Sequence, residues 1–148
     1  MPADRPLRAG YPWTTPITTR WSDNDVYGHI NNVVYYSYFD SAVNLYLITA
    51  GGLDIATGSV IGLVVESHCQ FHAPLAYPDR LVAGVRADRL GQRAVTYGVA
   101  IFADGDDRAA AHGHVVHVFV DRQTRTPVAI PPALRAALAR LAPAAPET

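Results

Sequence analysis

The sequence predicts an α+β chain in which an antiparallel sheet wraps one long central helix. Three observations carry this. Residues 33–48 are apolar nearly all round, with Val33, Val34, Tyr35, Tyr36, Tyr38, Phe39, Ala42, Val43, Leu45, Tyr46, Leu47 and Ile48 leaving no wide polar face, so this helix has to be buried. It is too short for a clean membrane span and is interrupted by Asp40, Ser41 and Asn44, so the burial expected is inside a curved sheet. After it come four segments of period-two alternation, mostly joined by short turns, which is the pattern of an antiparallel sheet.

Residues 1–10 contain Pro and Arg without periodicity and read as a loose arm. From Trp13 to Trp21 the β-branched Thr14, Thr15, Ile17, Thr18 and Thr19 favour a first strand, and Pro16 suits its beginning or a sheet edge. Ser22 to Asn32 then gathers Asp23, Asn24, Asp25, His29, Asn31 and Asn32 around Gly28, a breaker that argues for a loop. Asn31 or Asn32 caps the helix that follows, because a short side-chain carbonyl reaches the free N–H groups of the first turn, and Gly51-Gly52 closes it.

Beyond a connection at 54–58, residues Ser59 to Phe71 alternate cleanly. Ile61, Leu63, Val65, Ser67, Cys69 and Phe71 are expected on one face, and Gly62, Val64, Glu66, His68, Gln70 and His72 on the other, polar face. Pro74 and Pro78-Asp79 turn the chain into a strand through Leu81, Val85 and Ala87, which Leu90-Gly91-Gln92 ends. Val95 to Ile101 and Ala110 to Val120 form a hairpin across Asp104-Gly105. Thr124 to Ile130 is expected to add a short segment, and Pro131-Pro132 opens a helix with Leu134, Leu138 and Leu141 on one stripe, before a loose tail to residue 148.

At 148 residues the chain is large enough for one core without staples, so a single domain over 1–148 is expected. A formal net charge of −1 offers no basic field for nucleic acid. All 12 cations are Arg, which excludes a Schiff-base lysine and a phosphate-loop lysine. Cys69 has no partner for a disulfide and reads as a small buried hydrophobe. The N-terminus has no signal-peptide pattern and no run reaches membrane length, so no membrane partner and a cytoplasmic location are expected.

The run Asp23-Asn24-Asp25-Val26-Tyr27-Gly28-His29-Ile30-Asn31-Asn32, followed by an aromatic helix, resembles the 4-hydroxybenzoyl-CoA thioesterase-like branch of the hotdog-fold acyl-CoA thioesterases. The likeness extends to about Asp121, and Phe71-His72-Ala73-Pro74-Leu75 resembles the family's strand ending in proline. It implies the hotdog fold, a homo-oligomer (a dimer through a continuous sheet, often doubled to a tetramer), and hydrolysis of an acyl thioester without metal or redox cofactor, coenzyme A entering as part of the substrate. A thioesterase for acyl-carrier-protein thioesters, a non-hydrolytic thioester-binding protein and a hotdog dehydratase stay open beside it.

Matched to that motif, Asp25 falls on the catalytic carboxylate, as nucleophile or as general base for water, and Asn32 opens the helix whose first N–H groups are aimed at the carbonyl oxygen where charge develops. His29 belongs to the motif and either touches substrate or braces the loop. Asp23, two residues before Asp25, either helps to position the loop or is a solvated turn residue, and the second is expected. Glu66 is one of two glutamates in the chain; at the dimer seam that the resemblance implies it would approach Asp25 of the other copy and help orient water, and otherwise it is a solvent-exposed strand carboxylate. Tyr35 is a candidate for the acyl pocket, with Tyr38 and Phe39. Arg89 and Arg93 flank a turn and are candidates for the phosphates of coenzyme A. His112 and His114 share a face by strand period, but no third ligand is spaced to join them, so no metal is expected.

Overall fold

The computed structural model describes residues 4–143. After a turn of 3-10 helix at Arg8–Gly10, the chain forms β1 (Trp13–Thr18), a second 3-10 turn at Trp21–Asp23, α1 (Asn32–Thr49), β2 (Val60–Phe71), β3 (Arg80–Leu90), β4 (Ala94–Ala103), β5 (Ala111–Asp121) and α2 (Pro132–Ala139). The five strands make one antiparallel sheet in the order β1-β3-β4-β5-β2. Pro16 sits in β1, an edge strand, where its missing N–H costs no ladder bond that the sheet needs.

The sheet packs its concave face on α1. Tyr35, Phe39, Ala42, Val43, Tyr46 and Leu47 of the helix meet Leu81, Ala83, Val85, Val95, Tyr97, Val99, Ile101, Val115 and Phe119 in one buried cluster. The expectation that the helix is buried all round needs correction, because Val33, Tyr36, Leu45 and Ile48 stay exposed on its far side. Five strands about 4.8 Å apart span roughly 20 Å. That is enough to embrace one side of a helix about 10 Å across.

Asn31 is the N-cap of α1, its side-chain oxygen accepting from the N–H of Val33 at 3.1 Å. At the other end Gly51 lies against α2, where a Cβ would come within 2.5 Å of Leu134 Cδ1 and 2.7 Å of the Leu47 carbonyl oxygen. α2 buries Leu134 and Leu138, with Leu141 just beyond it, and Tyr46 donates its hydroxyl proton to the Ala137 carbonyl at 2.5 Å.

Two further expectations are corrected. The arm before β1 is not loose from Arg5 onward: Arg5 Nε donates to Ala109 O at 2.7 Å, Ala109 N to Pro6 O at 2.9 Å and Arg8 N to Asp107 O at 2.8 Å. Tyr11 then covers Val82, Ala100, Phe102 and Ala109 on the outer face of the sheet. In β2 the alternation does not run through, because the pairing with β5 steps from Val64↔His117 to Glu66↔Val116 and leaves Val65 as a bulge. One extra residue switches the sides. Ile61 and Leu63 therefore join Glu66, His68 and Gln70 on the outer face, while Gly62 and Val64 join Ser67, Cys69 and Phe71 on the core face. Residues 124–130 form no strand; they meet the sheet at the isolated bridge Val120↔Pro127, with Val128 N donating to Phe119 O and Ile130 N to Gln92 O, each at 2.9 Å. The tail beyond residue 143 lies outside the described residues.

Candidate active site

The polar run before α1 folds as a small hairpin. Asn24 bridges Ile30, Asp25 N donates to His29 O at 2.9 Å, and Asn31 N donates to Asp23 O at 2.9 Å. Gly28 takes the turn with φ of 85°, a region that side-chain-bearing residues rarely adopt. Ile30 N donates to Leu75 O at 2.7 Å, and Tyr77 N donates to Asn24 Oδ1 at 2.9 Å, so the proline-punctuated stretch after β2 holds the hairpin from behind.

Asp25 is half-buried near the tip, and its Oδ1 accepts from Tyr27 N at 2.9 Å. A cleft of about 750 Å³ is lined by Asp25 together with Asn31 and Asn32 at the start of α1, and by Trp21, Tyr27 and Gly28. The start of a helix carries partial positive charge on its unpaired N–H groups. Here the cap uses the N–H of Val33. The N–H of Asn32 has no partner among the described residues.

A second cleft of about 300 Å³ shares Asn32 as a wall and is lined by His29, Tyr35, Phe71 and His72. Tyr35 stands edge-on to Phe71 with ring centroids 5.2 Å apart, and burial pushes its hydroxyl up to about 12. Of the three aromatic candidates on α1 only Tyr35 lines this cleft. Phe39 is buried in the core, and the Tyr38 hydroxyl is bonded elsewhere.

Asp23 differs most from expectation. Instead of a solvated turn residue it is fully buried, accepting from Tyr38 OH at 2.6 Å, from Arg20 N at 2.9 Å and from Arg20 Nε at 3.2 Å, with Arg20 Nη2 at 3.1 Å. Burial pushes its carboxyl up, but these donors and the Arg20 charge outweigh burial and hold it below the ordinary carboxylate range. Burial first, and then the bond to Asp23, pushes the Tyr38 hydroxyl well up. The sequence places this carboxylate two residues before Asp25. The signal for its burial, Tyr38, lies 15 residues away.

The family model of the thioesterase-like superfamily matches residues 19–138. The chain belongs to that superfamily. Among solved structures, this thioesterase is similar to the PA5185 protein of Pseudomonas aeruginosa, with 56% identity and a TM-score of 0.94 over 96% of this chain and 99% of that one. It shares its fold with a 1,4-dihydroxy-2-naphthoyl-CoA thioesterase from Synechocystis (18% identity, TM-score 0.76, covering 85% and 94%). A DHNA-CoA thioesterase from Staphylococcus aureus is alike at 20% identity and a TM-score of 0.75, covering 86% and 88%. A search of curated proteins finds no match. The sheet and its long helix are the hotdog thioesterase fold, and the chain is a thioester hydrolase by family.

The remaining candidates of this thioesterase lie apart from Asp25 in the chain's own fold. Glu66 is on the outer face of the sheet, where its Oε2 is 2.6 Å from His114 Nε2. Arg89 and Arg93 lie at the far end of β3 from the hairpin, which adjoins the Thr18↔Arg80 end. Nine residues of strand separate Arg80 from Arg89, about 30 Å. On the outer face His68 stacks on His114 at 5.4 Å and His72 Nε2 lies 2.7 Å from His112 Nδ1. Burial lowers both His72 and His112. Among the described residues no group of three or more His, Cys, Asp or Glu side chains is placed to hold a metal ion. Cys69 is buried and its thiol is pushed up to about 12 by that burial, far from a nucleophile's range.

Proposed function

We propose that this thioesterase hydrolyses an acyl-CoA ester to the free acid and coenzyme A, as the 4-hydroxybenzoyl-CoA thioesterase-like branch does. One observation supports it above the others: a single cleft is lined by Asp25 and by the helix-opening Asn32, whose N–H has no partner among the described residues. The thioester carbonyl oxygen accepts from Asn32 N–H, where the helix dipole favours the charge that develops. Asp25 uses Oδ1 to brace its own turn and presents Oδ2 either to the carbonyl carbon or to a water. In the first route an Asp25 acyl anhydride forms and water cleaves it; in the second water adds directly. Either way the C–S bond breaks, a C–O bond replaces it, and the thiolate takes up a proton as it leaves. Tyr35 and Phe71 offer the acyl group an apolar wall, and His29, which lines the same cleft, contacts substrate there.

A second copy completes the site. β1 is a short edge containing Pro16, whereas β2 is a 12-residue edge with Val64 and Val65 half to mostly exposed. Antiparallel pairing of two β2 strands extends the sheet and sets the Val60 end of one copy beside the Phe71 end of the other. That brings the partner copy's Arg89 and Arg93 to the hairpin's side for the coenzyme A phosphates, and places Glu66 near the seam.

The test is thiol release from a panel of aromatic, short, medium and long acyl-CoA esters by wild type and Asp25→Asn. Turnover on at least one ester, lost in the folded variant, is expected. Undiminished turnover in Asp25→Asn removes Asp25 from the chemistry, and no wild-type turnover on any ester moves the reading to carrier-protein thioesters or to binding alone.

A further inference from the structure

We infer that Asp23 is a positioning residue, gripping α1 at two points so that the hairpin carrying Asp25 keeps one angle to the helix start. The inference rests on the role proposed for Asp25. The first grip is the backbone, where the Asp23 carbonyl accepts from the N–H of Asn31, the residue that caps α1. The second is the carboxylate, which accepts from Tyr38 OH at 2.6 Å. Asn31 and Tyr38 are seven residues apart, about 10 Å along a helix. A hairpin tied to the helix at one point can swing about that point; a second bond, from the side chain of the same residue to a later turn of the helix, stops the swing.

The carboxylate is otherwise committed to Arg20, which closes the 3-10 turn leading into the hairpin through its backbone N–H and its guanidinium. Asp23 therefore joins three pieces: the end of the segment that follows β1, the base of the hairpin and the second turn of α1. Asp25 lies two residues along, beyond the Asn24–Ile30 bridge. Nothing in the chemistry requires a second carboxylate here, and a buried charge that lacks its partners is strongly destabilising. Its burial is understood if the geometry of Asp25 against the Asn32 N–H is what it maintains. Near-attack geometry is sensitive to this, a displacement of about 1 Å costing on the order of a hundredfold in rate.

Removing Asp23 outright risks unfolding the chain, so the informative variant is Tyr38→Phe. It deletes only the second grip and leaves the carboxylate bonded to Arg20. Asp23→Asn serves as a second variant, because its amide group would meet the Arg20 donors in place of an acceptor. In Tyr38→Phe we expect kcat to fall about ten- to hundredfold with KM within about twofold, the split that marks loss of transition-state geometry rather than binding. Asp25→Asn/Tyr38→Phe should be no slower than Asp25→Asn, since the grip acts through Asp25. Amide hydrogen exchange supplies a readout besides activity. The N–H groups of Asp25, Tyr27 and Asn31, all bonded within the hairpin, should exchange faster in Tyr38→Phe, while that of Val99 in β4 is unchanged. Wild-type kcat with unchanged hairpin exchange overturns the inference, and so do losses that multiply in the double variant. If Asp25→Asn keeps wild-type turnover, the proposed role of Asp25 fails by itself. Exchange then decides the positioning inference: faster hairpin exchange upholds Asp23 as the anchor and unchanged exchange overturns it.

Discussion

Acidification should destabilise this protein through a histidine remote from the proposed chemistry. His117 points from β5 into the core, is only 1% exposed, and has rings of Tyr97 and Phe119 edge-on at 5.1 and 6.1 Å. Gly62 on the neighbouring strand makes room for it, since a Cβ there would come within 3.2 Å of His117 Nδ1. Its polar neighbour is Tyr97 OH, 3.3 Å from Nδ1. Burial lowers the pKa of His117, with Asp40 opposing weakly. The unfolded chain takes up this proton near pH 6.5 and the folded chain resists it, so below about 6.5 the unfolded state holds more protons and stability falls with pH. Were His117 to stay neutral through pH 5, the loss there would reach at most about 2 kcal/mol. For a chain of this size that corresponds to about 4–8 °C in Tm. His72 and His112, also lowered, act in the same direction, so the effect is isolated with His117→Gln, which can still bond the Tyr97 hydroxyl and cannot charge. Melting of both proteins from pH 7.5 to 5, at one fixed protein concentration, should show the wild-type Tm falling more steeply than the variant's. Parallel curves would refute the argument, because they would mean that His117 titrates alike in both states.

Asn31→Ala removes the cap on Val33 N and should cost about 1 kcal/mol, visible as a Tm lower by about 2–4 °C; an unchanged Tm would show that the cap carries no stability. Val65→Lys places a charge on the bulge of the exposed β2 edge, a substitution that blocks edge-to-edge pairing. Light scattering after size exclusion should then give a smaller assembly than wild type. An unchanged assembly mass would remove β2 as the seam.

The existence of the strands and of the long helix, an Asn cap at 31 or 32, the Gly51-Gly52 stop, the Asp104-Gly105 hairpin and the leucine stripe of α2 were legible in the residues themselves. Each is a local preference, decided within a few positions of the chain. The motif around Gly28 likewise set Asp25 beside the helix start, and the fold lines one cleft with both. Other features were settled only when distant segments met. The bulge at Val65 exchanges the faces of β2, because register depends on the strand alongside and period-two alternation cannot report a skipped residue. Which helix N–H stays open depends on the rotamer of Asn31, whose oxygen takes Val33 and leaves Asn32. Arg89 and Arg93 lie at the end of β3 away from the hairpin, since sequence distance says nothing about which end of a sheet a turn occupies. Asp23 shows the division most plainly: a short acidic residue in a polar run reads as solvated, and only the folding of α1 across it brings Tyr38 onto its carboxylate and excludes water.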